Sequence, residues 1–170
     1  EIKDFSSDSL INKLHNVDGI ALRTANLTSD ILEKCNNLKI VARHGVGYDN
    51  VDLNYLNNKG IALAITGNSN SISVAEHVMT MFLCICKMSK LSDQLVRDGK
   101  FMEKSSLPGC FELYKKNILI LGFGRIGKAL AKRCYGFDSK VYVHDPFIDV
   151  SIIKENNCLP INFEDGLEIA

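Results

Sequence analysis

The sequence has 170 residues, 46% of them hydrophobic, with 20 lysines and arginines against 20 aspartates and glutamates and a pI near 7.1. That content supports an ordinary globular core, in one full domain or parts of two. Balanced charge leaves no global field to recruit nucleic acid or an acidic membrane surface, so small ligands are the expected partners. The cysteines, Cys35, Cys84, Cys86, Cys110, Cys134 and Cys158, form no C-x-x-C pair and accompany no paired histidine spacing. They read as free thiols of a reducing cytoplasm, with neither a disulfide framework nor a metal site. The opening Glu1-Ile2-Lys3-Asp4-Phe5 has no apolar leader core, and a start without methionine suggests a fragment. The longest apolar run, within 74–88, is interrupted by Glu76, His77 and Lys87 and is too short and polar for a bilayer. A soluble, cytoplasmic protein is expected.

In chain order, residues 6–16 carry Leu10, Ile11 and Leu14 at helical spacing, and Asp18-Gly19 turns into Ile20-Ala21-Leu22. Capping residues at 26–30 precede a helix over 31–35, and 38–42 is a strand candidate. A helix then closes at Gly60 before a strand over 61–65. Short strands alternating with helices predict α/β architecture, a parallel sheet with helices on its faces. Ser73-Val74-Ala75-Glu76 is a capping-box pattern, predicting a helix over 73–98 about 35 Å long whose first half is buried on most sides. Met79, Met81 and Met88 read as core filling. Residues 99–114 lose periodicity around Pro108-Gly109 and predict a loop or arm, docked on something such as a partner subunit.

The most informative stretch is 117–127, N-I-L-I-L-G-F-G-R-I-G. A buried strand runs into a glycine turn and then into helix formers. In this pattern Gly122 permits the turn, Gly124 lets the backbone approach a pyrophosphate, and Gly127 lets helix and strand pack closely. The phosphates would rest on the first amides of the helix, at Arg125 and Ile126. A second strand-like run, 141–145, carries the carboxylate of Asp145 at its end, eighteen positions past Gly127 and before Pro146. A carboxylate there accepts hydrogen bonds from the adenosine ribose and repels a 2′-phosphate, so the expected cofactor is NAD. After a helix-like piece near 152–154 and Leu159-Pro160-Ile161, the chain stops with only two strands following the first nucleotide strand.

Four motifs occur together: Arg43-His44-Gly45-Val46-Gly47-Tyr48-Asp49-Asn50-Val51-Asp52, then Asn70-Ser71-Ile72-Ser73-Val74-Ala75-Glu76-His77, then 121–127, then Asp145-Pro146-Phe147. In this order and spacing they resemble the D-isomer-specific 2-hydroxyacid dehydrogenases, closest to the phosphoglycerate dehydrogenase branch. The resemblance implies a flavodoxin-like parallel-sheet substrate domain, here partial over 1–70. It implies over 71–170 a linking helix, a dimer arm and the N-terminal half of a Rossmann NAD-binding domain. It implies hydride transfer between a small 2-hydroxy or 2-oxo acid and NAD, in a homodimer. Val46 and Gly47 would receive the substrate carboxylate on their amides, an anion nest in physical terms, with Arg23 and Arg43 as possible helpers. Val46 would also touch the cofactor, alongside Gly122, Gly124, Arg125, Ile126, Gly127 and Asp145.

Departures from the family pattern bear on activity. The family's catalytic arginine, glutamate and histidine would lie beyond residue 170, so no catalytic residue is assigned and the segment alone is expected to be inactive. His15, His44, His77 and His144 have no family counterpart in that role. Thr66-Gly67-Asn68 stands where a proline is usual, Asp138-Ser139 replaces a glycine-containing turn, and Lys115-Lys116-Asn117 replaces glycine-lysine-threonine. An alternative remains open, a non-enzymatic NAD-sensing binding protein like the corepressors built on this scaffold. A methyltransferase-like domain is a more distant one.

Overall fold

The computed structural model of the protein describes residues 6–67 and 69–170. The opening pentapeptide and Asn68 of the Thr66-Gly67-Asn68 departure lie outside the described residues. The chain divides into two compact units, Glu1–Ser69 and Asn70–Ala170.

In the first unit, α1 (Ser7–Leu14), β1 (Gly19–Leu22), α2 (Ser29–Leu32), β2 (Ile40–Arg43), α3 (Leu53–Lys59) and β3 (Ala62–Ile65) alternate. The strands form a parallel sheet in the order β1-β2-β3, with Leu22 opposite Arg43 and Arg43 opposite Ile65. Alternation puts Ile20, Leu22 and Val41 on one face, where they pack with Leu10, Leu14, Leu32 and Leu56. The other face carries Ala21, Ile40, Ala42 and Ala64 and is exposed. Helices were expected on the sheet's faces; in this unit they cover one, and the other exposes three alanines beside Ile40.

The second unit opens with α4 (Ser71–Cys86) and α5 (Ser89–Arg97), then a 3-10 helix at Phe101–Ser106. From there β4 (Asn117–Leu121), α6 (Arg125–Cys134), a 3-10 turn at Tyr135–Phe137, β5 (Lys140–His144), α7 (Val150–Glu155), β6 (Leu159–Pro160) and α8 (Phe163–Ile169) follow. Its sheet is parallel in the order β4-β5-β6, with Ile118 opposite Val141 and Leu121 opposite His144. Ile118, Ile120, Val141 and Val143 face a core with Ala75, Met79, Phe123, Leu130 and Cys134, and α8 lies against β4 and β5. Both observed sheets therefore bear out the α/β parallel-sheet expectation.

Three helical expectations are corrected. The single helix over 73–98 is two helices bent by 62° at Met88, which takes a left-handed φ of 48°. The break follows from a tertiary contact: the Phe111 amide returns to the Cys86 carbonyl at 3.0 Å, taking an acceptor at the end of α4. Next, α4 begins at Ser71 with Asn70 as an N-cap that makes no side-chain bond, so Ser73 lies inside the helix and the capping box does not form. Finally, α4 buries a stripe, Ala75, Met79 and Cys86 with Val78 and Phe82 beside it, while Ile72, Met81 and Ile85 are exposed. Of the methionines read as core, Met79 is buried, Met88 half-buried and Met81 exposed. Within 99–114 the chain is also less irregular than expected, because Phe101–Ser106 winds into the 3-10 helix.

No single described helix is long and apolar enough to cross a membrane.

Candidate functional site

The two parallel sheets each present a loop at the carboxyl ends of their strands, the end at which open α/β sheets bind ligands. In the second unit, β4 runs directly into Gly122, whose φ of 89° is left-handed and whose amide still reaches the His144 carbonyl at 2.9 Å. Phe123 then turns its ring inward and is fully buried, while Gly122 and Gly124 on either side are exposed. Gly124 is the N-cap of α6 and supplies no side-chain cap. Lys128 makes the bond to the Gly124 carbonyl at 3.0 Å, so among the described residues the Ile126 and Gly127 amides before it have no intrahelical acceptor.

Gly127 sits where α6 crosses the turn. A Cβ there would fall well inside contact distance of the Gly122 carbonyl oxygen and 3.3 Å from Ile120 Cγ2. Gly124 has open space where its Cβ would be. Arg125 and Ile126, between them, are exposed on the same first turn.

Asp145 follows β5 and is half-buried. Its Oδ2 accepts the Phe123 amide at 2.6 Å and its Oδ1 accepts the Phe147 amide at 2.9 Å. These amide bonds, that from Phe123 foremost, hold the carboxyl below its ordinary value of 3.8, against a smaller opposing effect of desolvation. Residue reasoning placed Asp145 but missed Phe123 and Phe147, which act through backbone amides. Their only sequence signal is position: one between the paired glycines, the other two residues past the aspartate.

In the first unit, the loop after β2 is shaped by Gly45, at a φ of 149°. The His44 amide bonds the Leu22 carbonyl at 2.7 Å and the Thr66 amide bonds the Gly45 carbonyl at 3.1 Å, tying the loop to the ends of β1 and β3. Arg43 folds over its own loop: Nη1 donates to the His44 carbonyl, and the guanidinium occupies the space a Cβ on Gly45 would need. Its Nε is buried without an acceptor. Among the described residues, the Val46 and Gly47 amides have no acceptor within the chain. Arg23 lies exposed just past the end of β1. Thus Val46, Gly47, Arg23 and Arg43 gather at one end of the first sheet. Gly122, Gly124, Arg125, Ile126, Gly127 and Asp145 gather at the carboxyl ends of β4 and β5 in the second.

Two of the histidines, His44 and His144, adjoin these loops and take part through their backbone, whereas His15 and His77 lie away from them. His15 Nδ1 lies 3.1 Å from the Asn12 carbonyl and His144 Nδ1 lies 3.2 Å from that of Ile161. His44 and His77 are exposed. Among the described residues, no three histidine, cysteine, aspartate or glutamate side chains cluster as metal ligands.

Comparison with known proteins places this geometry in a family. The chain is 38% identical over 149 residues to D-3-phosphoglycerate dehydrogenase of Sus scrofa, covering 87% of this chain and 28% of that protein. It is 35% identical over 159 residues to hydroxypyruvate reductase of Thermotoga maritima, covering 93% of this chain and 49% of the other. Among solved structures, D-lactate dehydrogenase of Aquifex aeolicus, complexed with NAD and lactic acid, superposes with a TM-score of 0.83 at 28% identity, covering 94% of this chain and 48% of that one. The chain therefore spans about half or less of the length of these relatives. The family model described as D-isomer specific 2-hydroxyacid dehydrogenase, catalytic domain, matches residues 1–167, and the chain belongs to that family.

Proposed function

We propose that the whole protein is an NAD-dependent oxidoreductase of a D-2-hydroxy acid, of the phosphoglycerate dehydrogenase kind. The observation that carries this reading is the junction of the glycine turn, the start of α6 and Asp145 at the ends of β4 and β5. The residues fit the dinucleotide. Space stands open beside Gly124, the Ile126 and Gly127 amides of α6 have no intrahelical acceptor, and an ionised carboxylate lies on the neighbouring strand end. When bound, NAD would take up or return a hydride at its nicotinamide ring.

The chain's own residues have separate tasks in this reading. Amides at Arg125, Ile126 and Gly127 hold the pyrophosphate, and Asp145 accepts the adenosine ribose hydroxyls. The Val46 and Gly47 amides receive the substrate carboxylate, with Val46 also against the cofactor. Arg23 offers a solvent-facing positive charge to an acidic substrate; Arg43 contributes from its place against Gly45. None of the four histidines of this segment is assigned the proton transfer.

Two further features belong to the proposal. A homodimer would cover the exposed Met81 and Ile85, which share one side of α4. Six free cysteines suit a reducing cytoplasm.

The test is an assay of the full-length protein with NAD and a panel of D-2-hydroxy acids that includes 3-phosphoglycerate, and with NADH and the matching 2-oxo acids. Turnover on at least one member is expected. Tight NAD binding with no turnover on any would replace this reading with that of an NAD-sensing binding protein.

A further inference from the structure

We propose that Asp145 also works before any dinucleotide arrives: through the Phe123 amide it is a positioning residue that latches the glycine turn into its phosphate-receiving shape. The proposal rests on the NAD reading above for what the turn receives, and on this chain's own geometry for the latch.

The turn needs an anchor that its sequence does not obviously provide. Gly122 and Gly124 have no side chains to pack, and Gly124 caps α6 with nothing but backbone. A segment of this composition has much conformational freedom to lose on ordering. Three contacts restrain it. The Gly122 amide is held by the His144 carbonyl at 2.9 Å, an extension of the β4–β5 ladder. The Phe123 ring is fully buried in the core of the second unit, among residues that include Ile120 and Leu130. The third is the Phe123 amide, captured by Asp145 Oδ2 at 2.6 Å. The ring fixes where Phe123 sits, and the carboxylate fixes how its peptide plane is turned. That plane is the Gly122–Phe123 peptide, so with the ring buried on one side of Phe123 the bond fixes the chain one residue before Gly124, the N-cap from which the first amides of α6 follow.

The carboxylate is itself held. Its second oxygen accepts the Phe147 amide at 2.9 Å, a local bond across two residues that stops the group from rotating away. A carboxylate has about four lone-pair sites. The Phe123 and Phe147 amides take two of these and the Ile148 amide adds a weaker contact, which leaves lone-pair capacity for a ribose hydroxyl, so holding the turn and accepting the ribose are compatible in one group. Hydrogen bonds to an ionised acceptor are stronger than neutral ones, which makes the Phe123 bond an effective restraint at a partly wet site.

The experiment separates the two tasks of Asp145 by removing the ribose from one of them. Full-length protein and its Asp145→Ala variant are titrated with NAD and with an NAD analogue whose adenosine ribose lacks both hydroxyls. Amide hydrogen exchange at Phe123 and Phe147 is followed without ligand. With a latch, Asp145→Ala binds the dideoxy analogue about tenfold more weakly than the unsubstituted protein does, and Phe123 exchange accelerates by about tenfold or more. Asp145→Asn keeps one acceptor oxygen and puts an NH2 group against the other amide. In it, at least one of the two amides is expected to exchange faster, which decides the question if the alanine variant does not fold.

Equal affinity of the two proteins for the analogue, with Phe123 and Phe147 exchange unchanged, would overturn the latch and leave Asp145 a ribose acceptor only. Failure of the unsubstituted protein to bind NAD would instead remove the cofactor reading, and the exchange data would still decide whether Asp145 holds the turn.

Discussion

Gly127 faces the carbonyl oxygen of Gly122 so closely that a Cβ on residue 127 would stand well inside van der Waals contact of it. The obstacle is backbone, not a side-chain end that can swing away. Gly127→Ala is therefore expected to lower stability by about 1–3 kcal/mol and to displace α6 from the turn. Urea denaturation and NAD titration of the variant check this. Unchanged values for both would mean that the close approach is unimportant.

Asp145 should leave a signature in pH dependence. Its carboxyl is held below 3.8 in the folded protein by the Phe123 and Phe147 amides, so the unfolded chain binds the proton more readily. The contribution is complete above the ordinary carboxylate range and is lost as pH falls through the depressed folded value. Asp145→Asn should lose stability relative to the unsubstituted protein at neutral pH, with the gap closing below about pH 4. Denaturation midpoints across that range provide the comparison; a constant gap would contradict it.

The loop after β2 depends on Gly45 in two ways, one through its φ of 149° and one through the guanidinium of Arg43 lying where a Cβ would go. Gly45→Ala should cost about 1–3 kcal/mol from backbone strain and the displaced arginine together. Adding Arg43→Ala relieves the steric part and leaves the dihedral part, so the two substitutions should be non-additive in a double-mutant cycle. Strict additivity would show that Arg43 moves aside freely.

Two departures from the family pattern fall on left-handed residues. Lys115 has a φ of 58° and Asp138 a φ of 51°, and both are exposed. Lys115→Gly and Asp138→Gly should each raise stability by up to about 1 kcal/mol, since glycine takes this conformation without the Cβ penalty. Thermal melts of the two variants would register the rise, and a fall in either would mean that the lost side chain outweighs the relieved backbone.

Thiol reactivity should sort by burial. Cys84 and Cys110 are exposed, whereas Cys134 is buried and its thiol is pushed up to about 11, chiefly by desolvation and then by Cys158 nearby. Under native conditions, alkylation followed by peptide mass spectrometry should label Cys84 and Cys110 first and Cys134 last. Early labelling of Cys134 would indicate that this part of the core opens readily.

Much of the fold was legible because the signals are local. The run from Asn117 to Gly127 holds a strand, a turn and a helix start within eleven residues, and β4, Gly122 and α6 occupy those places. Asp145 could be placed from its distance to Gly127. The break at Met88 could not, because Lys87, Met88 and Ser89 are all compatible with a helix. What ends α4 there is the amide of Phe111, from a segment beyond α5. The start of α4 was misjudged for a related reason, since Ser73 and Glu76 form a capping pattern but Glu76 instead accepts Arg133 of α6 at 2.8 Å. The bonds from Phe123 and Phe147 to Asp145 were invisible because a backbone amide has no letter of its own. Which side of α4 is covered was equally hidden, because an apolar residue states a preference for burial and not its direction.

The two hydrophobic clusters described above have no residue in common: one joins Leu10 through Leu56 and the other Ala75 through Cys158. Each is expected to act as a separate centre of cooperativity, which two resolved transitions in a thermal melt would show and one concerted transition would contradict. A single melting temperature would then average two events, and a substitution would register in the event that contains it. Gly45 and Arg43 should shift one transition, and Gly127, Asp145, Lys115 and Asp138 the other. The same chain thereby provides its own internal reference, with the unsubstituted unit marking the baseline for the altered one.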